Sequence, residues 1–170
     1  GAEIIVCVNA GLKTLFQDSL KVKHICTFNE EPGEYDCWSP MMSLPGYLGI
    51  TLDNLSHQQY YLVADPTLVQ QWQQRLGQKK KLRVGFSWSG RRDTWMNRHK
   101  GMPFEHMLNF IKAHPQYEWI NLQVDCTKEE NNQLAEVGVN CYPGAITNFA
   151  DTSALMMNLD VVLKIGRAHV

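Results

Sequence analysis

Residues 82–90 read LRVGFSWSG, and the stretch 102–114, MPFEHMLNFIKAH, follows them after a charged segment. The first stretch is rich in branched and aromatic residues, which is typical of a buried strand. In the second, apolar residues recur at helical spacing from Phe104 to Ile111, and Pro103 suits the first turn of a helix. A strand followed at once by such a helix indicates the start of a βαβ unit.

The same alternation continues as far as residue 163. It predicts, in order, a strand over YEWINLQV (117–124), a helix over KEENNQLAEVG (128–138), a brief strand over VNCY (139–142), a helix over FADTSALMMNL (149–159) capped by Asn148 or Asp151, and the start of a strand over DVVL (160–163). Strands and helices at this spacing predict an α/β fold, a parallel sheet with helices on both faces. Ligands of such sheets bind at the carboxyl ends of the strands, so the loops there are the informative ones.

The first 81 residues carry shorter and less regular elements. We predict strands over EIIVCV (3–8), VKHICTF (22–28) and residues 60–63, with helices over GLKTLFQDSL (11–20) and, after the capping Asp65 and Pro66, TLVQQWQQRLGQ (67–78). The apolar stretch 37–52 is broken twice by proline, so we expect short pieces and a turn there rather than a long helix. The polar run QKKK (78–81) marks a boundary.

Composition narrows the class of protein. The chain has 170 residues, 44% of them hydrophobic, and a net charge of -1, which argues against a general nucleic-acid binder. No run approaches the roughly 18 apolar residues of a membrane span. The five cysteines are scattered without a CxxC pair, so we expect no zinc site and buried, reduced thiols in a cytoplasmic protein.

One loop concentrates positive charge. The segment SGRRDTWMNRHKG (89–101) holds five basic groups between a predicted strand end and a predicted helix start, where backbone N–H groups also favour anions. Two interpretations stand on an equal footing, a phosphate-binding loop and a solvated charged loop. Neither GxGxxG nor GxxxxGK[ST] occurs, so the usual fingerprints of dinucleotide and P-loop sites are missing.

Five stretches, taken in chain order, match sequence motifs of a known protein family. They are SLPGYLGITLDNL (43–55), YLVADP (61–66), VGFSWSG (84–90) with Arg98 and Pro103 after it, LQ (122–123), and FADTSALMMNLDVVL (149–163). Through these residues the chain resembles bacterial glycosyltransferases of the heptosyltransferase-like group, and more closely the catalytic part of tetratricopeptide-repeat proteins with the same GT-B architecture. The resemblance spans nearly all of the chain up to Leu163.

This resemblance implies a GT-B organisation with two Rossmann-like domains. Residues 1–55 would be the end of the acceptor-side domain, 56–81 a linker containing a helix, and 82–163 the first half of the nucleotide-sugar (donor) domain. The enzyme would move a sugar from a nucleotide-sugar donor to a hydroxyl acceptor on a protein, a glycan or a lipid-linked sugar. It would need no metal and no cofactor, and it would work in the cytoplasm or at the inner face of the membrane.

The resemblance also implies roles for single residues. Lys100 and Arg98 match the basic positions that contact the donor diphosphate, and Ser89 with Gly90 would let the strand end approach the donor closely. Gln123 would contact the nucleoside or the sugar. The segment 91–96, RRDTWM, departs from the family's Asn-rich loop, which leaves the choice of sugar open. We expect the catalytic base to lie outside this chain.

The final residues KIGRAHV (164–170) follow no structural pattern. They are similar to the translation of a short-read sequencing adapter, whose reading frame stops after the same valine. We therefore expect 164–170 to be adapter-derived, and the chain to be a fragment that is inactive by itself. Two alternatives to the glycosyltransferase stay open: a non-catalytic module that binds a nucleotide sugar or acts through repeats, and a different nucleotide-binding α/β enzyme.

Overall fold

The protein is described here by a computed structural model that covers residues 2–20, 22–55, 60–90 and 101–164. The chain forms two compact units, Gly1–Val63 and Ala64–Val170. Each unit contains its own parallel sheet. The predicted mixture of small parallel sheets and helices is therefore confirmed at the level of an α/β fold.

The first unit is built on a two-stranded parallel sheet. Strand β1 (Ile5–Val8) pairs in parallel with strand β2 (His24–Thr27), and a 3-10 turn with helix α1 (Lys13–Ser19) connects them. Both strands and this helix were predicted from the sequence and are confirmed. Beyond them, the proline-broken stretch forms only a 3-10 turn and the one-turn helix α2 (Leu44–Tyr47), also as predicted.

The strand predicted over residues 60–63 is wrong. These residues have no regular structure, and Tyr60 is 84% exposed. The backbone N–H of Val63 donates to the Ser19 hydroxyl oxygen at 2.8 Å, and this hydroxyl donates to the Val63 carbonyl at 3.3 Å. A side chain on helix α1 thus satisfies backbone groups that a neighbouring strand would otherwise bond.

The cysteine prediction needs correction as well. Cys26 is buried, Cys126 and Cys141 are half-buried, but Cys7 and Cys37 are exposed. The expectation of buried thiols is therefore wrong for two of the five. Both exposed cysteines lie in the first unit, whose two strands and short helices cover less surface than a larger sheet would.

The second unit is a doubly wound α/β sheet. Its elements are α3 (Pro66–Leu76), β3 (Arg83–Ser87), α4 (Phe104–Ala113), β4 (Glu118–Asn121), α5 (Lys128–Glu136), α6 (Phe149–Met156) and β5 (Val161–Lys164). The three strands are parallel in the order β4-β3-β5. Helix α3, predicted in the linker, packs against α6 and so belongs to this unit. Strand β5 includes Lys164, which pairs with Ser87.

The strand predicted over 139–142 is reduced to a single bridge. Asn140 pairs in parallel with Ile120, its N–H bonding the Trp119 carbonyl and its carbonyl accepting from Asn121 N–H. The chain then turns at Pro143 and Gly144, and Gly144 has a φ of 73°. The turn ends the pairing after one residue because proline offers no N–H to a ladder.

Helices cover both faces of this sheet. Side chains alternate between the faces, and each face has its own apolar cluster. One cluster joins β3 and β4 to α4 and α5 and contains Val84, Phe86, Trp88, Met107, Leu108, Ile111, Trp119, Leu134 and Val139. The other joins the sheet to α3 and α6 and contains Trp72, Leu76, Ile120, Ile146, Ala154 and Leu155. The predicted helices on both faces are confirmed for this unit.

The chain reverses its direction of travel across the sheet at β3. From β3 it moves through α4 to β4 and through α5 to the Asn140 bridge, and then α6 returns it to β5 on the opposite side of β3. In open α/β sheets this reversal creates a crevice at the carboxyl ends of the two strands concerned. The crevice between β3 and β5 is therefore where the fold itself favours a ligand.

A charged cluster joins the strands at their amino ends, opposite the crevice. The Asp160 carboxylate accepts from Lys79 Nζ at 2.6 Å and from the Arg83 backbone N–H at 2.8 Å. These two hydrogen bonds hold the pKa of Asp160 below its ordinary value. The carboxylate thus stabilises the junction between β3 and β5 while it stays ionised.

We expect this carboxylate to make the second unit sensitive to acid. Because the pKa is depressed on folding, the stabilisation is present above the unfolded pKa of about 4 and is lost as the pH falls through the folded value. Urea unfolding at pH 6 and pH 3 should show a smaller acid-induced loss for Asp160→Asn than for the wild type. Glu136→Gln, which removes an exposed carboxylate at the end of α5, is the control. An unchanged acid response in Asp160→Asn would contradict this assignment.

Candidate functional site

The described site residues lie together at the carboxyl edge of the second sheet. Ser87 is the last residue of β3, Ser89 and Gly90 follow it, and Gln123 lies two residues beyond the end of β4. Gln123 Oε1 accepts from the Ser87 hydroxyl at 2.7 Å and from the Ser89 backbone N–H at 3.2 Å. One amide oxygen therefore joins the ends of two adjacent strands.

Gln123 is itself held on the other side. Asn121 Oδ1 accepts from the Gln123 backbone N–H at 2.8 Å, and Asn121 Nδ2 donates to the Gln123 carbonyl at 3.3 Å. The Gln123 amide nitrogen donates to Asp125. Asn121 is 4% exposed and Gln123 9% exposed, so the network lies largely out of water. In this arrangement the Gln123 side chain positions the β3 end instead of presenting a bare amide to solvent.

Asn121 is a residue that the sequence interpretation missed. It occupies the last position of a strand whose other buried residues, Trp119 and Ile120, are apolar. A buried polar residue at a strand's carboxyl end is costly unless it is hydrogen-bonded, and this was the available signal. The sequence interpretation also missed Ser87, the half-buried last residue of β3, although it lies in the predicted strand.

The segment before helix α4 returns to the end of β3. Met102 N–H donates to the Trp88 carbonyl at 2.9 Å, and a Cβ on Gly101 would lie 3.1 Å from Ser89 Oγ. Ser89 Oγ also donates to the Gly90 carbonyl at 2.9 Å. The loop that leaves the sheet edge after Gly90 is therefore back beside Ser89 at Gly101.

The basic residues of this loop lie outside the described residues. This holds for Arg98 and Lys100, on which the predicted diphosphate contact depends, and for the neighbouring Arg91, Arg92 and His99. The described residues on either side of them, Gly90 and Gly101, both lie at the sheet edge. The prediction for Arg98 and Lys100 stays a prediction.

Helix α4 starts at this same edge, and its amino terminus differs from those of α3, α5 and α6. Asp65, Thr127 and Asn148 cap those three helices with side-chain oxygens. The sequence allowed either Asn148 or Asp151 as the cap of α6, and the structure shows that Asn148 is the cap. Pro103 supplies no side-chain acceptor to α4. Within the part of the chain that the structure describes, no side chain therefore caps the positive end of the α4 dipole at the sheet edge.

Two cavities formed by described residues border the edge. The larger, of about 340 Å³, is mostly apolar and is lined by Ser87, Met102, His106, Met107, Phe110, Leu163 and Lys164. The smaller, of about 20 Å³, is lined by polar and apolar groups that include Asn121, Gln123, Asn131 and Tyr142. The larger cavity lies at the crevice between β3 and β5, the position that the strand order favours for a ligand.

The chain was compared with protein families, curated proteins and solved structures. No protein-family model, curated protein or solved structure matches this chain. Among the residues that the structure covers, no group of three His, Cys, Asp or Glu side chains could hold a metal ion. Within the same part of the chain, no helix is long and apolar enough to span a membrane.

Proposed function

We propose that the second unit supplies donor-binding residues of a GT-B glycosyltransferase, which moves a sugar from a nucleotide-sugar donor to a hydroxyl acceptor without a metal. The observation that carries the proposal is the convergence of Ser87, Ser89 and Gln123 beside the start of α4, where Pro103 supplies no side-chain cap. This convergence lies where the sheet reverses, at the edge from which the Arg98 and Lys100 loop departs. A phosphate group at that edge would meet a helix dipole and two cations.

The chemistry of sugar transfer explains why such an edge is useful. As the glycosidic bond to the donor breaks, negative charge develops on the leaving nucleoside diphosphate. Lys100, Arg98 and the first-turn N–H groups of α4 would stabilise that charge, which lowers the barrier to departure. Gln123 would act as a positioning residue, because its amide oxygen already holds Ser87 and Ser89. We assign no acceptor-activating base to this chain.

The decisive measurement is binding of nucleoside diphosphates and nucleotide sugars by isothermal titration calorimetry. We expect saturable binding that weakens at least about tenfold in Lys100→Ala and in Arg98→Ala, because hydrogen bonds to charged groups contribute about 1.5–3 kcal/mol each. Lys112→Ala is the matched control, since Lys112 is an exposed lysine in the last turn of α4, at the helix end away from the site. Equal affinities in all three variants would refute the assignment.

The same titration separates the alternatives. A glycosyltransferase donor site should bind both the nucleotide sugar and the nucleoside diphosphate that it releases, whereas a site for another nucleotide has no reason to accept the sugar. A non-catalytic module would bind the nucleotide sugar yet transfer no sugar to any hydroxyl acceptor when assayed in the complete protein. If none of the nucleoside diphosphates and nucleotide sugars bound, both the glycosyltransferase and the non-catalytic nucleotide-sugar module would be refuted.

A further inference from the structure

Two thiols meet across the small sheet of the first unit. Cys7 on β1 and Cys26 on β2 are register partners in the parallel pair. Their sulfur atoms are 2.7 Å apart, with either thiol able to donate to the other. No side chain of a third residue has to move for the two sulfurs to meet, because they already touch.

The backbone spacing also suits a covalent bond. Neighbouring strands lie about 4.8 Å apart, and a disulfide joins Cα atoms that are about 4.4–6.8 Å apart. Register partners on adjacent strands point to the same side of the sheet. The pair therefore needs only a change at the sulfur atoms.

The two thiols differ in their access to solvent. Cys7 is exposed, whereas Cys26 has no exposed surface. The hydrogen bond from Cys7 and the burial of Cys26 raise the pKa of the Cys26 thiol above its ordinary value. A reagent in solution can therefore reach Cys7 directly, but Cys26 can be reached only through Cys7.

We propose that Cys7 and Cys26 form a reversible disulfide between β1 and β2 by exchange with a small disulfide such as oxidised glutathione. The Cys7 thiolate attacks one sulfur of the small disulfide, forms a mixed disulfide and releases one thiol. Cys26 then attacks the Cys7 sulfur, and its proton passes to the departing thiolate, which leaves as the second thiol. Two protein thiols are oxidised by two electrons in total, and one small disulfide is reduced to two thiols.

The bond would stabilise the least supported part of the unit. Among the residues that the structure describes, the two strands pair only with each other, and a two-stranded sheet is marginal without further support. A bond between Cys7 and Cys26 closes the connection that contains α1 and so restricts the unfolded chain. The pair would therefore make the order of the first unit depend on the redox state of its surroundings, whatever the second unit binds.

The test is mass spectrometry of the whole chain after equilibration with glutathione at several ratios of its reduced and oxidised forms. After acid quenching and alkylation, trypsin with a glutamate-specific protease separates Cys7 (peptide 4–13) from Cys26 (peptide 24–30) and from Cys37. We expect peptides 4–13 and 24–30 to become linked, with a loss of about 2 Da, as the oxidised fraction rises. Excess dithiothreitol should reverse the link.

Substitutions distinguish the order of attack. Cys26→Ala should trap Cys7 as a stable mixed disulfide with glutathione, and Cys7→Ala should leave Cys26 unmodified. Cys37→Ala, which removes the other exposed thiol of the unit, should not change the linkage. The wild-type titration needs no substitution, so a variant that misfolds does not affect it. The proposal is overturned if Cys7 and Cys26 both remain alkylated at every ratio, or if the link forms with Cys37 instead.

Discussion

Arg83→Ala is expected to lower the free energy of unfolding of the second unit by about 3 kcal/mol or more, since it breaks a buried ion pair by removing one partner. The Arg83 side chain is 4% exposed, and its Nε donates to Glu118 at 3.0 Å. Its Nη2 donates to the Gly77 carbonyl at 2.8 Å and to the Leu76 carbonyl at 3.3 Å. One side chain thus joins β3, β4 and the carboxyl end of α3.

The loss is large because the partners stay behind. Without Arg83, the Glu118 carboxylate loses its cation while its side chain is still only 18% exposed. The last carbonyls of α3 lose their hydrogen-bond donor as well. The favourable interaction of positive charge with the α3 dipole is also reduced, although Arg75 remains in the last turn of the helix. These costs add to the loss of the packed aliphatic part of the arginine.

Urea unfolding followed by circular dichroism measures the effect. Arg75→Ala is the control, because Arg75 is exposed on α3 and its guanidinium lies over the Trp72 ring, 4.7 Å from the ring centre. We expect it to cost less than about 1 kcal/mol. A double variant, Arg83→Met with Glu118→Met, should recover much of the stability, since it removes both charges together. Equal losses in Arg83→Ala and Arg75→Ala would contradict a buried pair.

Phe86→Ala is expected to destabilise the second unit by about 4 kcal/mol, the usual cost of deleting a buried ring. Phe86 lies in the central strand β3 and has no exposed surface. Its ring stacks on Trp88 and meets Trp119 edge to face, each with centroids 5.9 Å apart. Removing it leaves a cavity between two tryptophans that neighbouring strands hold in place.

The chain offers a matched comparison for this substitution. Phe110 also meets Trp119 edge to face, again at 5.9 Å, but it lies on α4 and is 44% exposed. Phe110→Ala removes the same atoms without leaving an enclosed cavity, so we expect a loss of about 1 kcal/mol. Differential scanning calorimetry should show a much lower melting temperature for Phe86→Ala than for Phe110→Ala. Similar melting temperatures would mean that the core closes over the missing ring.

Much of the second unit could be predicted from local patterns. The β3 stretch, the apolar face of α4 and the Asp65–Pro66 start of α3 are signals contained in a few consecutive residues, and each element formed where it was expected. The edge that holds Ser89, Gly90 and Gln123 was also predictable, because parallel strands place their carboxyl ends together. The failure at 60–63 has the opposite cause: an apolar run forms a strand only when another backbone is there to pair with it.

The order of strands and helices in the second unit, and the sheet edge that carries the candidate site, follow from local sequence patterns. The long-range contacts do not: they join the Gln123 side chain to the Ser87 hydroxyl and the Ser89 backbone N–H, Arg83 to Glu118, and Cys7 to Cys26. The two kinds of feature differ in the range of the interactions behind them. Periodicity and capping act within a few residues, whereas each of these pairs depends on the register between strands, and that register follows from how the whole core packs.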